Sequence, residues 1–243
     1  MHLPSETLNP TLCPITWTLA TAALGGALLY AKRQIEKPTY QRILTVAASL
    51  LVLQAVNFPI VPGISGHILG AAFAARLLGI PFAMITTAGV LVVQAILGDG
   101  GIDTLGANIL NIAIVAPLVG GLIKPRAIAG LASVLAAAVS CGLLLALAGR
   151  TDVLLPLLAL HLAIGTAEAL FATVALRLPV WAPLLLLPAV PFSSRLPDGL
   201  EAALAGLPVN GMAVALVATA LTGAFCAVFF LEKRATLCGN HQS

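Results

Sequence analysis

Residues 127–148, AIAGLASVLAAAVSCGLLLALA, decide the fold class: no charged side chain interrupts them, while Arg126 and Arg150 stand at either end. A run of that length coils into a helix that crosses the roughly 30 Å hydrocarbon core of a bilayer, which needs about 20 apolar residues. Working outward, similar apolar runs cover 12–31, 40–56, 67–79, 80–97, 104–122, 153–177, 180–192 and 209–231, each bounded by Gly, Pro, Asn or charged residues. Two of them, 67–79 and 180–192, fall short of a full span and are expected to be tilted, broken or partly buried in protein. The sequence therefore predicts an all-α integral membrane protein, a polytopic bundle of about seven to nine transmembrane or re-entrant helices. A transmembrane barrel is excluded, because no ten-residue segments of alternating polarity occur.

Composition agrees. Of the 243 residues 60% are hydrophobic and only 9% charged, with a mean hydropathy of +1.06, where soluble domains carry about a quarter charged residues. The net charge of +3 is spread through short loops rather than gathered into a stripe, so no nucleic-acid partner is indicated. Those basic residues instead set topology. With alternate loops assigned to alternate sides, Lys32, Arg33, Lys37, Arg42, Arg76, Lys124, Arg126, Arg177, Lys233 and Arg234 share one side, against Arg150 and Arg195 on the other. Cytoplasmic loops are the Lys/Arg-rich ones, which places the N-terminus outside, the C-terminus in the cytoplasm, and loops 57–66, 98–103, 149–152 and 193–208 facing outward. The N-terminus is expected to be retained, since Met1 to Pro14 contains no basic residue of the kind that opens a signal peptide. Cys13, Cys141, Cys226 and Cys238 are widely separated and form no CxxC pair, so they read as small membrane-compatible side chains rather than a zinc site or disulfide framework.

Few residues in so apolar a chain can carry chemistry. The opening Met1-His2-Leu3-Pro4 places a bulky residue second, which protects an initiator methionine from trimming. A free terminal amine, the next amide nitrogen and the His2 imidazole can then close adjacent chelate rings on one divalent ion, a nitrogen-rich set suited to square-planar geometry with one position left open. His67 ends the outward loop 57–66 and offers the fourth nitrogen. An exposed terminus at His2 and a capping or interfacial histidine at His67 are the plain alternatives.

Taken together, MHLP at the start, NFPIVPGISGHILG at 57–70, LGDGGIDTLGANILNIA at 97–113, HLAIGTAEAL at 161–170 and SSRLPDGLE at 193–201 resemble the CbiM/NikM family, the substrate-capture components of energy-coupling-factor transporters for cobalt or nickel. The last of these looks like the PDGLE segment of the small NikN/CbiN-type partner that is fused in some members. The resemblance implies a metal-capture core over 1–179 and an appended PDGLE/NikN-like unit with a last transmembrane helix over 180–243, set apart by the Pro-rich stretch 190–208. It implies a four-nitrogen site made by the Met1 amine, the His2 amide and imidazole, and the His67 imidazole. It further implies a cell-membrane location and, as partners, a transmembrane coupling subunit, ATP-binding cassette ATPases and a NikN/CbiN-type subunit where the fused segment does not replace it. Ni²⁺ or Co²⁺ is then cargo, with no permanent cofactor. One departure is visible: where the family opening has an acidic-Gly pair after the proline, this chain has Ser5-Glu6-Thr7.

Around that site, Asp99 and Asp103 in a Gly-rich outer loop are candidates to orient an imidazole, attract a cation or cap the loop. Asn108 and Asn111, three residues apart, are candidates for bonding across helices or for holding the N-terminal segment. His161 and Glu168, seven apart within an apolar run, are expected to join helices or couple motions rather than to ligate. Two other functions are open to the same residues. Gly63-Ile64-Ser65-Gly66 matches the GxSG pattern of rhomboid intramembrane proteases, with His161 as the base for Ser65, and polar residues between broken helices also suit a stand-alone carrier or channel. The chain has no GxxxxGK[ST] phosphate loop, so ATP-driven transport requires partner subunits. Because a terminal amine and an imidazole ordinarily titrate near ~7.7 and ~6.5, capture at such a site weakens below about pH 7.

Overall fold

In the computed structural model, which describes residues 2–61, 64–192, 200, 204 and 205, the chain is a bundle of helices with one small hairpin. Helix α1 spans Leu12–Arg33 and α2 Tyr40–Ala55; strands β1 (Phe58–Val61) and β2 (Ile64–Gly66) follow, then α3 (Ala71–Leu78) and α4 (Ile80–Ile96). Next come α5 (Leu105–Asn108), a π-helical segment Ile109–Val115 and α6 (Ala116–Leu122), which run on as one rod, then α7 (Arg126–Leu147) and α8 (Leu154–Ala175). A 3₁₀ segment, Ala182–Phe192, closes the described part.

Local chemistry sets these boundaries. The Asn9 side chain accepts from the Leu12 amide at 2.9 Å and Thr39 from the Arg42 amide at 3.2 Å, so each satisfies a donor at its helix start. Pro125 precedes α7, and Gly149 ends it in the left-handed region at φ 86°. The π segment has a cause as well: Pro117 has no amide hydrogen, and just before it the Ala116 N–H bonds back to the Asn111 carbonyl, one residue further than in an α-helix.

Four described helical rods are long and apolar enough to cross a membrane: Leu12–Arg33, Leu105–Leu122, Arg126–Leu147 and Leu154–Ala175. Tyr40–Ala55 and Ile80–Ile96 are apolar but shorter. The run 67–79 yields only the eight-residue α3, buried along most of its length, and 180–192 yields 3₁₀ structure with Pro188 and Pro191 inside it. The loop 57–66 forms the β1–β2 hairpin, pairing Phe58 with Gly66. The last apolar run, 209–231, and most of the PDGLE segment lie outside the described residues.

Small residues let the rods approach. A Cβ on Gly130 of α7 would meet the Glu168 carbonyl oxygen of α8 at 2.8 Å, so glycine is what allows these two helices to touch backbone to backbone. The central core joins Leu91, Ile112, Val134, Leu160 and Ile164. A second cluster gathers Leu3 and Leu8 of the N-terminal segment with Leu145, Leu157 and Leu200. The outer surface stays apolar, with Leu29, Leu143, Leu147 and Leu155 exposed, as expected of a protein whose solvent there is lipid.

Candidate functional site

The N-terminal segment is bound by the rest of the chain as a ligand would be. Leu3 is fully buried, and its amide donates to Asn108 Oδ1 at 2.7 Å. Its carbonyl accepts from the Thr104 hydroxyl at 2.7 Å, from the Gly101 amide at 2.9 Å and from Asn108 Nδ2 at 3.2 Å. The Asn108 side-chain amide thus pairs with both main-chain polar groups of Leu3, 105 residues away in sequence. Asp103 holds the next turn: its Oδ2 accepts from the Glu6 amide at 2.8 Å. Partial burial pushes the Asp103 carboxyl up, but hydrogen bonds from the Glu6 amide, the Ser5 side chain and the amides of Asp103 and Thr104 outweigh it and hold the group below its ordinary value. Glu6 sits at φ 65°, a left-handed conformation that costs a side chain. Glycine takes that conformation without this cost.

Fixing Leu3 fixes His2. Its ring is buried and lies nearly parallel to that of His67, with centroids 5.4 Å apart and 21° between the planes. That separation is short enough for one ion, about 2 Å from a nitrogen of each ring, to touch both. His2 Nδ1 also lies 3.4 Å from Asp99 Oδ1, and the other Asp99 oxygen accepts from Gln94 Nε2 at 3.4 Å. A cavity of about 370 Å³ opens beside His2, Asp99 and Gly100. Met1 lies outside the described residues. Among the described residues no group of three or more His, Cys, Asp or Glu side chains is placed to hold a metal. Two imidazoles alone do not fill four positions.

His67 is placed from two other helices. Its Nδ1 lies 3.4 Å from the neighbouring Ile68 carbonyl; a carbonyl only accepts, so this contact favours the proton on Nδ1 and the lone pair on Nε2. One residue further, the Leu69 carbonyl accepts from Gln54 Nε2 of α2 at 2.8 Å. The Leu69 and Gly70 amides donate to Glu168 Oε2 of α8 at 2.9 and 3.1 Å.

Not every residue singled out in the sequence comes to this place. Asn111 accepts from the Ser140 hydroxyl at 2.7 Å, joining the π segment to α7, and its Nδ2 is buried without a hydrogen-bond partner among the described residues. His161 Nδ1 donates to Leu157 O at 2.7 Å within its own helix, whereas Glu168 reaches across to the loop after His67. Thr104, Gly101 and Gln54 were missed from sequence, because nothing local distinguishes them from ordinary polar or turn residues.

With this geometry in hand, comparison with known proteins is informative. A family described as the cobalt uptake substrate-specific transmembrane region, CbiM, matches residues 2–179. The fused nickel transport protein NikMN of Rhodobacter capsulatus is 36% identical over 121 residues, 49% of this chain and 35% of that one. The cobalt transport protein CbiM of Salmonella typhimurium is 34% identical over 126 residues, 51% of each; the chain thus spans about half or less of the length of these curated relatives. A solved structure of a truncated transition metal transporter superposes with a TM-score of 0.62 at 27% identity, covering 80% of this chain and 100% of that one. A membrane-spanning helical bundle, a segment 2–179 that matches over most of the chain, and homologues that move transition metals agree, and the chain belongs to the CbiM family of cobalt uptake substrate-specific transmembrane proteins.

Proposed function

We propose that this protein is the substrate-capture component of an energy-coupling-factor importer for Ni²⁺ or Co²⁺ in the cell membrane, and that it binds the ion on its outward face through the Met1 amine, the His2 amide and imidazole, and the His67 imidazole. The observation that carries the reading is the meeting of two buried imidazoles, 65 positions apart in sequence, at 5.4 Å beside a cavity and a carboxylate. Asp99 raises the local concentration of cations and contacts the imidazole nitrogen that closes a chelate ring with the His2 amide. Binding releases protons from the ligands, so uptake weakens in acid.

The relatives divide between nickel and cobalt transport proteins. At a nitrogen site the affinity order places Ni²⁺ above Co²⁺, which favours nickel. The family match over 2–179 supports a capture core there, with 180–243 as an appended NikN-like unit, a division that the fused relative's name also favours. ATP hydrolysis then belongs to partner ATPases working through a coupling subunit, a reading supported by the lack of a GxxxxGK[ST] phosphate loop in this sequence. Membership in a transport family favours capture over proteolysis by Ser65 and His161.

The test is a Ni²⁺ and Co²⁺ titration by calorimetry on purified protein with its native N-terminus, beside a form with two residues added before Met1 and a His67→Ala variant. The native form is expected to bind about 100-fold more tightly than the extended one, since the terminal amine, one of the four nitrogen ligands and the end of the chelate, is lost. Equal binding by native and extended forms overturns the site.

A further inference from the structure

Among the described residues Glu168 is the one carboxylate set deep within a long helix of the bundle. It is fully buried, sits on α8, and has one oxygen, Oε1, without a hydrogen-bond partner among the described residues. An ionisable group at such depth is costly and is retained where it does something specific. Its other oxygen accepts from two consecutive amides, those of Leu69 and Gly70. These are the donors just before α3, and they begin two residues after His67. Gly70 takes φ 72°, and a Cβ there would meet Leu50 Cδ2 at 2.5 Å, so this turn calls for glycine. From the opposite side Gln54 holds the Leu69 carbonyl at 2.8 Å.

We infer that Glu168 is the positioning residue of the capture site: through the Leu69 and Gly70 amides it sets where the His67 imidazole stands opposite His2. This rests on the site proposed above. Capping of α3 alone would need an acceptor but no relation to His67. The geometry gives that relation, because the residues between the clamped amides and the His67 ring are Ile68 and the clamped Leu69 itself, a tether of one free residue. The pairing also takes His67 out of the local chain's control and places it under α8, a helix packed backbone to backbone on α7 at Gly130. An imidazole held by a short loop alone would wander by more than the few tenths of an ångström that metal-ligand bonds tolerate.

The experiment is a double-mutant cycle on full-length protein with its native N-terminus, read by Ni²⁺ titration and by the Ni²⁺ d–d absorption band. Glu168→Met keeps the volume and removes the acceptor; it is expected to lower Ni²⁺ affinity about 10- to 100-fold and to shift the band as His67→Ala does. Glu168→Gln keeps an acceptor oxygen and is expected to stay within about threefold of wild type. The combined Glu168→Met, His67→Ala protein is expected to bind no more weakly than His67→Ala alone, because a residue that acts through His67 has nothing left to position. Losses that multiply, or an unshifted band in Glu168→Met, assign Glu168 a structural role and overturn the inference. If Glu168→Met does not fold, Glu168→Asp withdraws the acceptor by one methylene and is read in the same cycle with the same two outcomes. Failure of the site itself is distinct: His67→Ala then binds as tightly as wild type.

Discussion

At the scale of single residues the site depends on side chains that grip main chain. Asn108→Ala removes both bonds to the Leu3 main chain and leaves buried groups unmatched, a loss of about 1–3 kcal/mol. It is expected to weaken Ni²⁺ binding about 10- to 100-fold in the same calorimetric titration, although Asn108 does not touch the ion. Glu6→Gly should act in the opposite direction. Relief of the left-handed strain at φ 65°, worth about 1 kcal/mol, is expected to tighten Ni²⁺ up to about fivefold; unchanged or weaker binding would show that the turn is not strained. The Asp103 carboxyl, held below its ordinary value, contributes its hold fully above about pH 4 and loses it only as pH falls through the depressed folded value. A fall in affinity between pH 7 and 5 therefore belongs to protons competing at the nitrogen ligands, and Asp103→Asn is expected to lower affinity without changing the shape of the pH profile over that range. His2 and His67 were legible in the sequence because histidines are scarce in so apolar a chain, four in all. Their neighbours were not: Thr104, Gly101 and Gln54 act only because folding brings residues about 100 or 15 positions away against them.

Among the elements, periodicity located the long helices to within a few residues, since an uninterrupted apolar run allows little else. It failed where tertiary structure decides. The β1–β2 hairpin read as a loop, having no alternating pattern of its own, and the π segment read as plain helix because one misplaced hydrogen bond leaves no trace in composition. Helix α3 was recognised as too short, and the structure shows what holds it at both ends: Glu168 accepts from the Leu69 and Gly70 amides just before it, while the Arg76 guanidinium near its end donates to the Ile123 and Lys124 carbonyls after α6. The α7–α8 contact is tight enough to test. Gly130→Ala places a methyl 2.8 Å from the Glu168 carbonyl, an overpacking expected to cost about 1–3 kcal/mol and to lower the thermal midpoint in detergent; an unchanged midpoint would show that the helices part without penalty.

For the whole molecule, the apolar exterior and the four long apolar helices among the described residues establish a membrane protein, and the distribution of Lys and Arg supplies its proposed orientation. In a cysteine-free background, Thr151→Cys is expected to react with an impermeant maleimide on intact cells and Glu36→Cys only after permeabilisation; the reverse pattern inverts the topology. One feature of the N-terminus reaches beyond binding strength. The Asn108 and Thr104 bonds grip the backbone of residue 3, and the leucine pocket admits its side chain, so the molecule keeps count of its own sequence from that point. A single residue inserted between His2 and Leu3 would carry the imidazole about 3.4 Å along an extended chain, a full ligand position out of step, while composition, charge and hydropathy stayed almost the same. The N-terminal segment is thus a ruler with Leu3 as its zero mark, and evolution can vary the letters around that mark far more readily than the spacing.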